Sequence, residues 1–389
     1  MARRPGPPPP GPGIRPGPPP PGPRPGAGPR PGPGGTRPGL PPPGSVPPGS
    51  VPPGYSAGGE PPRRRPPWLW IGLAAAIVVV LAGSYLIASQ FGGGPTGTRT
   101  PAGGSPNGQP EALSNCTANV VDASGARQAL EAAKPGDRIC LNGDLGNEEL
   151  QLRRSGVEKQ PITILGGGTA TTGQITVRGD HVVVDGVRMS KPRSPGFMLI
   201  GNDITVRANV VDSPQVVKKG DDGDGIRFFG NDIKIVHNLI RNVVNLNGQD
   251  GNHADAIQTY ATSDENGPSQ RVLIDGNRFE EIDNMCMIAE GPDSEAGDGT
   301  GDGKSGQFTI TNNYCDNGAG QAFFFDDISD VTLTGNEVVG KIDKAFSLQN
   351  DSTGATIRDN KISPKVGYEV GMDDSSEDGY NGPKPGGGP

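Results

Sequence analysis

The phrases that decide the fold begin with DITVRANVV (203–211), NDIKIVHNLI (231–240) and QRVLIDGNRF (270–279), and they continue with GQFTITNNYC (306–315), SDVTLTGNEV (329–338) and GATIRDNKI (354–362). In each phrase, apolar residues alternate with polar ones, an asparagine follows, and another apolar residue closes the phrase. The asparagines are Asn209, Asn238, Asn277, Asn313, Asn336 and Asn360. The last three are 23 and 24 residues apart, which matches one turn of a solenoid with three short strands. The longer spacings leave room for loops.

A second apolar strand lies seven residues before many of these phrases. The pairs are Ile175 and Val182, Phe197 and Ile204, Ile226 and Ile233, Phe324 and Val331, and Leu348 and Ala355. Short alternating strands cannot bury an apolar face alone, whereas stacked turns bury it continuously. The sequence therefore predicts an all-β solenoid in which the asparagines stack as a ladder.

The solenoid begins with a predicted short helix near Cys116. Asp122 or Ser124 can cap it, and Pro135 and Gly136 end it. Its apolar positions keep helical spacing, and they are Ala126, Ala129, Leu130 and Ala133. A strand is predicted directly afterwards, from Arg138 to Leu141.

Together these features resemble the pectate-lyase-like right-handed parallel β-helices over residues 116–365. VVDASGARQALEAAKPGDRICL (120–141) resembles the helical cap of such solenoids, and PITILGGG (161–168) and VVVDGVRM (182–189) resemble early turns. The resemblance implies a right-handed parallel β-helix and a polysaccharide lyase, hydrolase or epimerase. Non-catalytic surface proteins share the same repeat, so fold and activity are separate questions. Of the motifs typical of polygalacturonases, only DGI (224–226) is present.

Residues 1–67 have a different composition, because they consist almost entirely of Pro, Gly and Arg. With few apolar residues, this arm cannot offset the entropy cost of ordering, so we expect it to be disordered. It could recruit a cytoplasmic partner.

WLWIGLAAAIVVVLAGSYLIASQF (68–91) carries no charge and is long enough to cross a bilayer as a helix. A signal peptide is the alternative, although its apolar core would be shorter and nearer the N-terminus. Arg63, Arg64 and Arg65 precede the segment directly. Positively charged residues next to a membrane-spanning helix usually stay on the cytoplasmic side. We therefore expect a single-pass plasma-membrane protein with a cytoplasmic N-terminus and an extracellular solenoid. A flexible linker (92–115) and a disordered acidic tail (366–389) complete the predicted organisation.

The charge balance separates the arm from the rest of the chain. The whole chain has a formal net charge of −8, although the arm holds nine arginines and only Glu60. Residues after 67 are therefore strongly acidic, which argues against a nucleic-acid partner for the solenoid.

All four cysteines follow the apolar segment, where an oxidising compartment would permit disulfides. Pairing neighbours along the chain gives Cys116–Cys140 and Cys286–Cys315. Free core thiols are the alternative for the second pair.

One corner of the solenoid is the predicted site. DGIRFFG from Asp224, DAIQTYA from Asp255 and NMCMIAE from Asn284 align, so these three residues should stack. Asp224, Asp255 and the adjacent His253 are candidate catalytic groups. A stacked Asp or Asn at a corner can instead be a turn cap, and this alternative stays open.

Ligand contacts are predicted from the same alignment. Arg227 and Gln258 should share an outward row with Met287, Phe325 and Gln349, and Lys219 and Arg241 are further candidate substrate-binding residues. DGTGDGKS matches half of a calcium loop through Asp298 and Asp302, although position 12 is Thr309. Two functions are carried forward: a lyase or epimerase that acts on an acidic polysaccharide, with Ca²⁺ as a possible cofactor, and a non-catalytic module that binds cell-wall glycan.

Overall fold

The computed structural model describes residues 108–217, 222–244, 253–262, 266–294, 296 and 302–389. The arm (1–67) and the apolar segment (68–91) lie outside these residues, so their predictions stay predictions. Within the described ranges, no helix combines the length and the apolar character needed to cross a membrane.

The described chain folds into three parallel sheets, whose strands are numbered β1 to β27 in chain order. Sheet A contains β1 (Ala118–Val120), β2 (Arg138–Leu141), β4 (Ile162–Leu165), β6 (Val182–Asp185), β9 (Ile204–Arg207), β12 (Lys234–Val236), β15 (Gln270–Asp275), β18 (Ser305–Thr311), β21 (Ile328–Ser329), β22 (Thr332–Thr334) and β25 (Thr356–Arg358). Sheet B contains β7 (Arg188–Ser190), β10 (Val210–Asp212), β13 (Leu239–Val243), β16 (Arg278–Ile282), β19 (Tyr314–Asn317), β23 (Glu337–Val338) and β26 (Lys361–Ile362). Sheet C contains β3 (Leu150–Leu152), β5 (Ile175–Arg178), β8 (Phe197–Ile200), β11 (Ile226–Phe229), β14 (Ile257–Tyr260), β17 (Met287–Glu290), β20 (Gln321–Asp326), β24 (Lys344–Gln349) and β27 (Tyr368–Met372).

Neighbours within each sheet come from successive coils, as in a parallel β-helix. Ile175 pairs with Phe197, and Phe197 pairs with Ile226. The inward side chains form one continuous apolar core whose largest members are fully buried phenylalanines: Phe197, Phe228, Phe279, Phe308, Phe323, Phe325 and Phe346. Pairing between strands of successive coils confirms the predicted parallel β-helix. The stack buries apolar side chains that a single coil would leave exposed to water.

The asparagine ladder is also confirmed. From Asn238 onward, each Oδ1 accepts from the backbone N–H and the Nδ2 of the preceding ladder asparagine; for example, Asn238 Nδ2 lies 3.0 Å from Asn277 Oδ1. In the first ladder residue, Asn209 Oδ1 accepts from Val187 N at 2.8 Å. Each Nδ2 also reaches a backbone carbonyl, as Asn277 does with Ile235 O at 2.7 Å. The ladder therefore satisfies amides that the corner would otherwise bury without partners.

A left-handed backbone conformation precedes every ladder asparagine. The residues are Ala208, His237, Gly276, Asn312, Gly335 and Asp359, with φ between 53° and 68°. Glycine, Asn and Asp tolerate this region best, which explains four of these six residue types.

The N-terminal cap and both disulfides agree with the sequence predictions. The helix α1 (Ala123–Ala132) begins after Asp122, whose side chain accepts from Gly125 N. Cys116–Cys140 and Cys286–Cys315 are bonded, with Cα atoms 5.7 and 6.0 Å apart.

The predicted linker is partly wrong, because residues from 108 onward pack on sheet A. Glu111 pairs with Arg138 at 2.6 Å and with Arg207 at 2.9 Å, and its N–H donates to Asp185 Oδ1 at 2.8 Å. Leu113 contacts Gly167, where a side chain would collide with it. We call residues 108–115 the strap. Its order comes from long-range contacts that linker composition does not reveal.

The prediction of a disordered tail from 366 is also wrong. Strand β27 pairs with β24, and the 3₁₀ helix Asp374–Ser376 follows it. Asn381 and Gly387 then make parallel bridges to Thr356 and Gly371. The tail is ordered because it forms a last partial coil on the open end of the solenoid.

Candidate functional site

The predicted corner lies at the entrance to strands β11 and β14 of sheet C. Ile226 pairs with Ile257, and Arg227 pairs with Gln258, so Asp224 and Asp255 stack two residues before these pairs. The two aspartates are fully buried. The structure therefore brings together the carboxylates that the sequence placed at one corner.

Both buried carboxyl groups accept hydrogen bonds from the next coil. Asp224 Oδ1 accepts from Asp255 N at 3.2 Å, and Asp255 Oδ1 accepts from Met285 N at 2.9 Å and Asn284 Nδ2 at 2.8 Å. These bonds join neighbouring coils in the manner of the asparagine ladder. This pattern supports the turn-cap interpretation for one oxygen of each group.

The second oxygens differ between the two aspartates. Asp224 Oδ2 accepts from Nε and Nη2 of Arg227. Asp255 Oδ2 is buried and has no hydrogen-bond partner among the described residues. An unpaired buried carboxyl oxygen is costly, so it is a position where chemistry is to be expected.

Burial shifts the acidity of both groups. It raises the pKa of Asp224 to about 6, against the opposing charge of Arg227. The pKa of Asp255 is raised well above its usual value, first by burial and then by the neighbouring charge of Asp224. Both carboxyl groups therefore keep their protons to a higher pH than an exposed aspartate does.

Arg227 connects the corner to the loop that precedes it. Its Nη2 also donates to Asp222 Oδ2 at 2.9 Å, and Tyr260 lies below its guanidinium at 5.9 Å from the ring centroid. Its Nη1 hydrogen-bonds to no described residue, and 14% of the side chain is exposed. Arg227 can therefore reach a ligand while it holds two carboxylates.

His253 is the exposed member of the group. Its backbone N–H donates to Asp222 Oδ1 at 3.0 Å, and its Nδ1 lies 3.9 Å from Asp255 Oδ2. The side chain is 44% exposed. An accessible imidazole beside a buried carboxyl group can exchange protons with solvent or ligand.

The predicted outward row is correct at Arg227 and Gln258 and wrong beyond them. Gln258 pairs with Ile288 rather than Met287, and the row continues through Phe324 and Ser347. The sequence aligns Asp255 with Asn284, whereas the strand pairing aligns Asp255 with Met285, one residue further along the chain. Since side chains alternate between faces, a shift of one residue turns Met287 into the core. Gln258 itself is buried, and its Oε1 has no partner among the described residues.

The other four predicted residues contribute no described contact to this corner. Arg241 lies on β13 of sheet B, where its Nη2 pairs with Asp212 at 2.7 Å. Lys219 and Asp298 lie outside the described residues, and Asp302 is exposed. No group of three His, Cys, Asp or Glu side chains fit for a metal ion occurs among the described residues. The calcium site stays a prediction.

A groove on sheet C was missed by the sequence analysis. It is a cavity of about 350 Å³ that begins at Arg227 and extends toward the N-terminal coils. Three further arginines line it: Arg153, Arg178 and Arg193. We call it the arginine groove.

A weak sequence signal for this groove did exist. Arg153 and Arg178 each end a short alternating stretch, LQLR and ITVR, whose strands pair in register through Leu152 and Val177. Arg193 comes from the loop before β8, so only the folded chain brings it to the groove.

Comparisons with known proteins give remote structural similarity. No family model matches the chain, and no curated protein matches it. The PL6 family alginate lyase AlyGC is 19% identical, with a TM-score of 0.38 over 65% of this chain and 40% of that one. An alginate lyase from Paenibacillus sp. str. FPU-7 is 18% identical, with a TM-score of 0.34 over 68% of this chain and 98% of that one. The A-module of the Azotobacter vinelandii mannuronan C-5 epimerase AlgE6 is 13% identical, with a TM-score of 0.34 over 69% of this chain and 88% of that one. This chain thus spans about two fifths of the length of AlyGC, and identities this low transfer no activity to it.

Proposed function

We propose that sheet C binds an acidic polysaccharide and that His253 carries out lyase-type or epimerase-type proton transfer on it. The observation that carries the proposal is the contact between Asp255 and His253. A buried carboxyl oxygen without a described partner lies 3.9 Å from the Nδ1 of an accessible imidazole. Because burial raises the pKa of Asp255, its carboxyl group is available to exchange a proton with the neighbouring ring, and it stabilises a protonated ring only in its ionised form.

The proposed reaction begins at the carbon next to the carboxylate of a uronic-acid residue. Neutral His253 removes the proton from that carbon, and the electron pair moves into the carboxylate. In a lyase, the pair then forms a carbon–carbon double bond while the bond to the neighbouring glycosidic oxygen breaks, and that oxygen takes a proton from protonated His253 or from water. In an epimerase, water delivers a proton to the opposite face of the same carbon, and His253 releases the proton it removed to solvent.

Arg227 supports either outcome through its charge. Negative charge develops on the substrate carboxylate when the proton is removed, and a guanidinium N–H beside it stabilises that charge. Nη1 of Arg227 is available for this role, since Nε and Nη2 already hold Asp224 and Asp222.

A non-catalytic glycan-binding or scaffold module is the second candidate. It is favoured by the complete burial of Asp224 and Asp255 and by their hydrogen bonds to the next coil. In that case the stacked carboxyl groups serve only as turn caps, and binding occurs without turnover.

Turnover measurements distinguish the two candidates. The full chain is incubated with oligogalacturonate and oligomannuronate, unsaturated products are followed by ultraviolet absorbance, and epimerised residues by NMR. We expect His253→Ala to lower the rate by about 10²–10⁴-fold, as loss of a general base does. His237→Ala, at an exposed corner directly after β12, is the matched control and should retain the rate. Absence of products on both substrates would favour the binding module, whereas full activity in His253→Ala would refute the role assigned to His253.

The location of the solenoid is part of the proposal. We infer that it lies outside the cell, anchored by residues 68–91, with the Pro-rich arm in the cytoplasm. The two disulfides support an oxidising compartment, and the arginines before residue 68 support the orientation. Protease treatment of intact cells should remove the solenoid and spare the arm, whereas protection of the solenoid would contradict this topology.

A further inference from the structure

We infer that the arginine groove binds a short, multiply carboxylated segment of the polysaccharide, and that sheet C excludes the anionic chain from its C-terminal half. This inference rests on the proposed function for the class of ligand. It adds where the ligand lies and how much of it is bound.

The cationic side chains of the groove are poorly neutralised. No carboxylate among the described residues forms an ion pair with Arg178 or Arg193, and both side chains are exposed. Arg153 donates only to Gln151 Oε1, at 2.7 Å for Nη2. Unpaired guanidinium groups in a concave surface bind carboxylates, often through two parallel hydrogen bonds.

The two carboxylates that line the groove are already engaged. Glu149 accepts from Gln151 Nε2 at 2.6 Å and from Thr176 Oγ1 at 3.0 Å. Asp222 accepts from His253 N and from Arg227. Four arginines therefore face the cavity against two carboxylates, although the domain as a whole is acidic.

The opposite half of sheet C carries negative charge in the corresponding rows. Beyond β14, Tyr260 is followed in register by Glu290 and then by Asp326. Asp327 and Asp373 lie directly after strands β20 and β27. Asp326 is buried, whereas Glu290, Asp327 and Asp373 are partly exposed, so an anionic chain that continued along the sheet would meet these three carboxylates, and like charges repel.

The change from positive to negative charge along sheet C limits the length of the bound segment. Strands β3, β5, β8, β11 and β14 span about 19 Å at the usual separation of about 4.8 Å between neighbouring strands. These five strands are separated by four spacings, so at about one sugar per spacing the groove and the Asp255 corner accommodate about four residues. A second depression shares Glu149, Gln151 and Arg153 with the groove and continues it toward Arg154 and the cap-helix residues Arg127 and Glu131, away from the acidic half.

The test separates binding from turnover by using the full chain with His253→Ala. Oligogalacturonates and oligomannuronates of two to eight residues are titrated calorimetrically, with neutral cello-oligosaccharides of equal length for comparison. We expect affinity to rise up to about four residues and then to level off, to fall with added salt, and to be absent for the neutral series.

Arginine substitutions locate the contact. Arg178→Gln and Arg193→Gln should each weaken binding about tenfold, which corresponds to one charge-assisted hydrogen bond. Arg358→Gln on β25 is the matched control, because Arg358 is an exposed arginine that ends a strand of sheet A. It should leave the affinity unchanged.

Three outcomes would overturn the inference: no binding of either acidic series, affinity that keeps rising to eight residues, or affinity that does not respond to the groove substitutions. Binding without turnover in the parent chain would leave the inference intact and refute the catalytic proposal. Turnover that does not depend on Arg178 or Arg193 would do the reverse.

Discussion

At the residue scale, the site shows how one side chain can have two roles. Oδ1 of Asp255 is bonded to the next coil like a ladder asparagine, whereas Oδ2 faces His253 without a described partner. The residue type alone fits a turn cap and an acid equally well. Only the folded structure, which shows the neighbours of each oxygen, distinguishes the role of Oδ1 from that of Oδ2.

Replacing Asp255 by Asn tests the acidity of the corner. Burial raises the pKa of Asp224 from 3.8 to about 6 and raises that of Asp255 well above 3.8. The folded chain therefore holds protons that the unfolded chain releases between pH 3.8 and about 6, so these groups make the free energy of unfolding fall as pH rises through that window. Asp255→Asn keeps an oxygen for Met285 N and removes this ionisation.

We expect the variant to gain stability relative to the parent as pH rises, by about 1 kcal/mol or more between pH 5 and 8. Urea unfolding at both pH values measures it. Asp302→Asn, in an exposed loop, should show no such change. Equal stability differences at the two pH values would show that Asp255 does not hold its proton in the folded chain.

At the element scale, the strap illustrates order that comes from tertiary contacts alone. Its sequence, GQPEALSN (108–115), is typical of a linker. Yet Glu111 joins Arg138 of β2 to Arg207 of β9, and its backbone bonds to buried Asp185 at the end of β6. A short segment thus clamps strands from separate coils.

Removing this clamp should lower stability. Glu111→Ala leaves Arg138 without its carboxylate and loosens the segment over Asp185, so we expect the free energy of unfolding to fall by about 1–2 kcal/mol. Glu148→Ala removes the more exposed pair with Arg127 and should have little effect. Urea unfolding compares the two, and exchange of the backbone amide of residue 111, which donates to Asp185 Oδ1, reports the strap directly. Equal stability of the two variants would mean that the strap contributes no more than a surface ion pair.

At the scale of the whole molecule, the solenoid is closed at its end by its own tail. Asn381 pairs beside β25 and Gly387 beside β27, so the last coil of sheets A and C does not end on bare strand edges. Open parallel edges invite pairing with another chain. The acidic, glycine-rich tail is therefore a cap, despite a composition typical of disorder.

Deleting the tail should expose these edges. A chain that ends at 372 should melt at a lower temperature and associate, as seen by calorimetry and light scattering. A chain that ends at 382 keeps the bridge of Asn381 and loses that of Gly387, so we expect an intermediate effect. Unchanged melting and a monomeric state for the shorter chain would refute the capping role.

The sequence by itself determined the coils, the ladder, the cap helix and the cysteine pairs. These follow from short-range rules: strand alternation, a corner that needs an amide and a left-handed residue, and apolar faces that only stacking can bury. It also placed Asp224, Asp255, Arg227 and His253 close together, because a solenoid converts sequence register into spatial neighbourhood.

The tertiary structure decided what depends on contacts between distant segments. Strand β17 pairs with β14 one residue away from the predicted alignment, and this pairing puts Met287 in the core. The strap and the tail gained order from strands far away in sequence. The arginine groove forms because the fold brings Arg193 of a loop next to Arg153 and Arg178, which lie at the ends of two strands. The charge of a local surface depends on the side chains that lie on it and not on the net charge of the whole chain.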